Sequence, residues 1–331
     1  MAMPGKTNSL TDVSGLRVGQ AEDIAAKTGA TVILPDERAV CAVDVRGGGP
    51  GTRETDALAA HTLVDAVDAV VLSGGSSYGL AAADGVAAAL GARGRGFSLL
   101  DMPGVPKSPV VPSAILYDLA NDGDKAWGED PPYRQLGRDA LEAAGDTVAL
   151  GRAGAGFGAM AGTHPGGTGT ASLVTEAGFT IGALVCVNSF GSVTLPGADE
   201  VYWAWPFEID GEFGGARPPA GWSMAPQDWG AAKYNPGARE NTTIAVIATD
   251  AALTPAQAQR LAIMAQDGFA RAIRPVHTPF DGDVVFALST AAHSLPETAG
   301  LALAELGAAA ADTLARAVAR GVHAARQQGR G

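Results

Sequence analysis

Arg239-Glu240-Asn241-Thr242-Thr243-Ile244-Ala245-Val246-Ile247-Ala248-Thr249-Asp250 is the most informative stretch of the chain. A polar, proline- and glycine-rich loop ends at Asn241, and an apolar run starts at once behind two threonines. A short apolar run of strand length reads as a buried strand. The two threonines agree with β propensity. The junction also has a chemical reading. Were the Asn241–Thr242 bond cut, Thr242 would gain a free α-amine with a pKa of roughly 8. One residue would then supply a hydroxyl nucleophile and its own general base.

Outward from this strand, further runs rich in Val, Ile and Leu at 30–34, 39–45, 69–72, 147–150, 181–187 and 284–288 read as buried strands, like 243–248 itself. Helical patterns alternate with them. The segment 52–67 has Glu54 and Asp56 near its positive end, and 79–90 is alanine-rich. The segment 254–273 opens with Thr254 as N-cap and Pro255 at the first helical position. The last, 297–326, carries many alanines suited to close packing. Between 201 and 239, four of the five tryptophans and five prolines crowd into what reads as a long loop and not a domain of its own. The order of elements predicts one α/β layered domain over 1–331, interrupted by that loop.

Composition narrows the function classes. There are 35 Asp plus Glu against 23 Lys plus Arg, a net charge of −12, and no basic run dense enough to neutralise a phosphate backbone, so nucleic acid is not the expected partner. With 47% hydrophobic and 18% charged residues the chain has the means to fold. Cys41 and Cys186 sit in apolar runs and read as free core thiols, which suits a reducing compartment. With no secretory h-region and no apolar stretch long enough to span a membrane, the expectation is a cytoplasmic protein without a membrane partner. Glycine, at 45 residues, is about twice as frequent as usual and clustered, so backbone must turn sharply or approach something closely at several places.

Two of those clusters imitate known motifs. Gly75-Ser76-Ser77-Tyr78-Gly79 fits the G-x-S-x-G nucleophile elbow between a strand and a helix, and a serine-hydrolase order could be completed by Ser77, Asp250 and His277. The bland alternative is a glycine turn whose N–H groups bind an anion or pack closely. Gly154-Ala155-Gly156-Phe157-Gly158-Ala159 is formally a dinucleotide fingerprint, but the helix it requires would run through Gly162, Pro165, Gly166, Gly167 and Gly169. His61, His164, His277, His293 and His323 are scattered without metal-ligand spacing, so no metal or cofactor is expected.

Six separated motifs, SGGSSYGLAAADGV, VVPSAILYDL, GRAGAGFGAMAG, VCVNSFG, ENTTIAVIATDA and HTPFDGDVVFALST, occur in one order from about Leu10 to Ala325. In this the chain resembles the P1 (DmpA-type aminopeptidase) family, and within it the nylon-oligomer (6-aminohexanoate-oligomer) endo-hydrolases, which have Asn-Thr where the aminopeptidase branch has Gly-Ser. The resemblance implies an N-terminal nucleophile hydrolase of layered αββα type that cuts itself between Asn241 and Thr242. The products would be an α chain, 1–241, and a β chain, 242–331, folded together and assembled as a homo-oligomer, a tetramer.

By motif, Thr242 would be the nucleophile acting on an amide or peptide substrate, Asn188 the group polarising the attacked carbonyl, and Tyr117 a residue lining the site. Asp281 and Asp283 would orient the Thr242 amine and hydroxyl. Each also has a plainer reading: Asn188 as a turn residue, Tyr117 as core, the Asp281-Gly282-Asp283 run as a tight turn. One departure stands out. The nylon hydrolases carry a catalytic lysine after the GAGxxxxAG stretch, where this chain has Thr163-His164; Lys107 lies elsewhere. Either the α-amine suffices or His164 substitutes. Outside this family, a serine hydrolase using Ser77 and a nonenzymatic small-ligand-binding protein are the other readings.

Overall fold

The computed structural model describes residues 3–100, 102–233 and 241–329. Arg239 and Glu240, and the end of the tryptophan-rich loop before them, lie outside the described residues. The chain begins with an antiparallel pair, β1 (Leu16–Asp23) and β2 (Thr28–Pro35). It continues through β3 (Val40–Val45), β4 (Thr52–Arg53), β5 (Val70–Ser73), helix α1 (Ala81–Ala92), β6 (Ser113–Ile115) and helix α2 (Tyr133–Glu142). A small hairpin of β7 (Met160–Ala161) and β8 (His164–Pro165) leads into β9 (Gly167–Val174) and β10 (Thr180–Asn188), and β11 (Thr194–Leu195) pairs with β12 (Ala198–Tyr202). The chain closes with β13 (Thr242–Ala251), α3 (Pro255–Ala272), β14 (Val284–His293) and α4 (Ala299–Gln328).

Two five-stranded sheets result, ordered β1-β2-β5-β6-β4 and β3-β14-β13-β10-β9. Strand alternation sorts the apolar side chains into three layers. Ile33, Val70 and Leu72 from the first sheet meet Leu184, Ile244, Val246 and Phe286 from the second, which fills the space between the sheets. Residues of opposite parity, such as Ala245, Ile247 and Val285, face α3 and α4. Val32, Val71 and their neighbours face α1 and α2. The architecture is the expected αββα sandwich. β13 is its middle strand, buried at every position, as the quoted run predicts. Cys41 and Cys186 are free and buried between the sheets.

Helix α3 starts where expected: Thr254 caps the backbone N–H of Gln257, and the Gln257 side chain accepts from the Thr254 N–H at 2.8 Å. Two expectations fail. The segment 52–67 is not a helix; Glu54 takes a positive φ of 57°, its carboxylate accepts the Val111 N–H at 3.0 Å, and Leu63 stays 70% exposed. Leu58 and Val67 are buried, but as separate contacts of an irregular segment and not as one face of a helix. The segment 147–150 is not a strand either. Its flanks, Gly145 and Gly151, bridge to Val18 and Thr168, so it spans from one sheet to the other with alternate side chains in solvent.

Candidate active site

The register between β10 and β13 places Asn188 directly opposite Thr242. Both are almost fully buried, as are Asn241, Asp281 and Asp283. Thr242 opens the strand with its hydroxyl donating to the carbonyl of Asn241. The same carbonyl accepts the Gly282 N–H at 3.1 Å. Gly282 must be glycine here, because a Cβ would come within 2.7 Å of both Thr242 Oγ1 and Gly49 O.

The acids divide their work. Asp283 Oδ1 accepts the Thr243 N–H at 2.8 Å, and its Oδ2 accepts from the His277 N–H at 3.1 Å and pairs with His277 Nδ1 at 2.8 Å. Asp281 faces the other way, accepting from Phe190 N–H, Thr278 N–H and the Thr278 hydroxyl at 3.1, 2.9 and 2.6 Å. Burial, and then the neighbouring charge of Asp283, push the Asp281 carboxyl upward. Asn188 is held at both ends of its amide: Oδ1 accepts the Met160 N–H and Nδ2 donates to the Tyr117 carbonyl, each at 2.9 Å. Tyr117 thus touches Asn188 through its backbone, and its residue lines a hollow of about 120 Å³ together with Asn188, Met160 and Lys233.

His164 goes elsewhere, pairing with Asp199 at 2.8 Å. Lys233 is the lysine in this hollow, carried by the tryptophan-rich loop, which is anchored by Lys233 N–H donating to Phe190 O at 2.9 Å. Sequence spacing gives no sign of it. The residues of the serine-hydrolase reading are not brought together: Ser77 is exposed on a 3₁₀ turn, His277 binds Asp283, and Asp250 accepts the Thr180 N–H at 2.9 Å. The Gly75 turn does bind an anion, one of the chain's own. Gly75 N–H and the Thr28 hydroxyl donate to Asp118 at 2.7 and 2.6 Å.

Thr242 thus heads a buried central strand with Asn188 opposite it and Asp283 on the next backbone N–H, and the fold that carries it is shared with solved structures. The L-aminopeptidase D-Ala-esterase/amidase of Ochrobactrum anthropi, described as a variant of the Ntn hydrolase fold, superposes with a TM-score of 0.72 at 24% identity, over 98% of this chain and 88% of that one. A Burkholderia sp. beta-aminopeptidase gives 0.69 at 23%, over 97% and 88%.

The model of peptidase family S58 matches residues 8–330, and the chain belongs to that family. It is a hydrolase acting on amide or peptide bonds. An uncharacterized aminopeptidase of Mycobacterium tuberculosis (strain ATCC 25618 / H37Rv) is 46% identical over 95% of this chain and 93% of its own length. The 6-aminohexanoate-oligomer endohydrolase of Kocuria sp. (strain KY2) is 33% identical over 89% and 79%. Identity to the aminopeptidase is therefore the greater of the two.

Proposed function

We propose that this chain is a self-processing N-terminal nucleophile amidohydrolase with Thr242 as its nucleophile. One observation carries the proposal: the Thr242 hydroxyl lies against the carbonyl of the bond it would break, and the Gly282 N–H already donates to that carbonyl at 3.1 Å. Attack of Oγ1 on the Asn241 carbonyl carbon moves the acyl group from nitrogen to oxygen, and the hydroxyl proton passes to the departing amine. Water then splits the ester, leaving a carboxylate on Asn241 and restoring the hydroxyl of Thr242. Gly282 stabilises the negative charge on the oxygen meanwhile.

In the two-chain enzyme the freed α-amine takes the hydroxyl proton as Oγ1 attacks a substrate amide. Asp283, bound to the next backbone N–H, and Asp281 behind it favour the protonated amine that forms. Asn188 and Lys233 line the hollow where the substrate carbonyl would lie. The leaving amine carries off the proton, and water hydrolyses the acyl-enzyme. The names of the relatives, aminopeptidase and oligomer endohydrolase, support short peptides, aminoacyl amides or ω-amino acid oligomers as its substrates. Assembly as a cytoplasmic homotetramer belongs to the same proposal.

Intact mass and N-terminal sequencing test it. Mature protein should show two chains, the second beginning Thr-Thr-Ile-Ala-Val. Thr242→Ala should stay uncut, folded and inactive, whereas Thr242→Ser keeps part of both cleavage and hydrolysis. An active Thr242→Ala variant would end the proposal.

A further inference from the structure

The glycine motif Gly154–Ala159, which imitates a dinucleotide site, builds something else. Its Gly158 lines both the hollow beside Asn188 and a larger one of about 370 Å³, and its Phe157 and Ala159 line the larger. The two share Asn121, Gly158 and Met160, so they are parts of one groove that starts at the residue paired with Thr242 and runs outward. Its floor is fixed. The Asn121 amide donates to Lys27 O at 2.7 Å and to Gly158 O at 3.2 Å, and any Cβ on Gly158 would strike Lys27 O at 2.0 Å. Glycine at that position is what lets the two strips of backbone meet.

The outer part of the groove is lined by the apolar side chains of Phe157, Met160 and Ile24, the last 69% exposed. Its charges do not cancel. Lys27 and Asp122 pair with each other at 2.7 Å. Lys233, at the inner end, is already engaged by a neighbour, and Asp118 is held by Thr28 and Gly75. Arg152 remains at the outer end, exposed, its guanidinium without a hydrogen bond or ion pair among the described residues. Only its backbone N–H is used, by Gln328 at 2.7 Å. A guanidinium keeps its charge at any working pH and binds carboxylates through two parallel N–H donors.

We propose that this groove is the subsite for the leaving part of the substrate, an aliphatic amide chain ending in a carboxylate, and that Arg152 binds that carboxylate. The inference rests on Thr242 being the nucleophile, and it makes Arg152 a specificity residue for short chains with a free carboxyl end.

The test compares one 6-aminohexanoate oligomer with a free carboxyl end against its terminal carboxamide, using mature wild-type enzyme, Arg152→Gln and Arg152→Lys. Wild type should favour the carboxylate by roughly tenfold in kcat/KM, mostly through KM. Arg152→Gln should bring the ratio to about one and Arg152→Lys should restore part of it. A wild-type ratio of one, or an Arg152→Gln ratio equal to wild type, overturns the inference. Should neither oligomer be cut, 6-aminohexanoate oligomers are not its substrates, and the nucleophile reading is decided separately by the two-chain and Thr242→Ala tests. Calorimetric binding of 6-aminohexanoate and its amide then decides about Arg152, where equal binding of the two by wild type counts against it.

Discussion

Asp118 shows how close a structural carboxylate can stand to the chemistry. It follows Tyr117, whose carbonyl holds Asn188, and it is itself held by the glycine turn at Gly75. Burial pushes its carboxyl up to about 6, against the lowering effect of Thr28, Gly75 and Lys125. The folded chain therefore keeps a proton that the unfolded chain has already released, and stability contributed by the protonated form is lost as pH rises from about 4 to 6. Asp118→Asn cannot titrate. Its amide also loses one of the two accepted hydrogen bonds, so the variant starts less stable. The gap in Tm between variant and wild type should shift in favour of the variant as pH goes from 4 to 6, and stay level above. Scanning calorimetry across that range checks it; a constant gap would mean an ordinary carboxyl at Asp118.

Among the elements, the contact of α4 with β9 is set by glycines. A Cβ on Gly169 would lie 1.9 Å from Ala317 O, and one on Gly321 would lie 2.7 Å from Gly169 N. Gly169→Ala should thus cost about 1–3 kcal/mol through overpacking. Gly300, at the start of the same helix, has nothing within 4 Å, and Gly300→Ala should raise stability by about 0.5–1 kcal/mol. Denaturant unfolding of the two variants separates local helix propensity from close approach. The same contrast explains what could be read in the sequence. β10, β13 and β14 carry long apolar runs, and α3 a full capping box, so they announce themselves. β9 is Gly167-Thr168-Gly169-Thr170-Ala171-Ser172-Leu173-Val174, a strand chosen for smallness under α4 and not for β propensity, and nothing local marks it. In the site, Thr242, Asn188 and the two acids stand out as side chains in motifs. The Gly282 and Met160 N–H donors leave no side-chain signature, and the His277–Asp283 pair depends on a turn with φ of 54° at His277.

Across the whole molecule, one buried ion pair ties distant parts of the chain together. Arg316 on α4, its side chain 2% exposed, meets Glu212 of the tryptophan-rich loop at 2.5 and 3.0 Å, and also bonds Ser172 O and Asn8 Oδ1, each at 2.9 Å. Arg320 adds a second contact to Glu212 at 3.4 Å. On the proposed cut, Glu212 and Asn8 fall in one polypeptide and Arg316 in the other, so the pair helps keep them joined. Glu212→Ala would leave buried cations uncompensated at a cost of about 3–5 kcal/mol. A lower Tm, with the two chains separating in less denaturant than wild type needs, is the expected result.

The register of β10 against β13 has a different kind of consequence. Asn188 faces Thr242 because of cross-strand pairing, and the length of chain that connects them does not enter. The exposed stretch of that connection near 218–230 can therefore gain or lose residues over evolutionary time, or accept an inserted tag or reporter, while the reacting groups keep their address. A single residue inserted inside β10 is another matter, since it would turn Asn188 to the opposite face and erase that address at once.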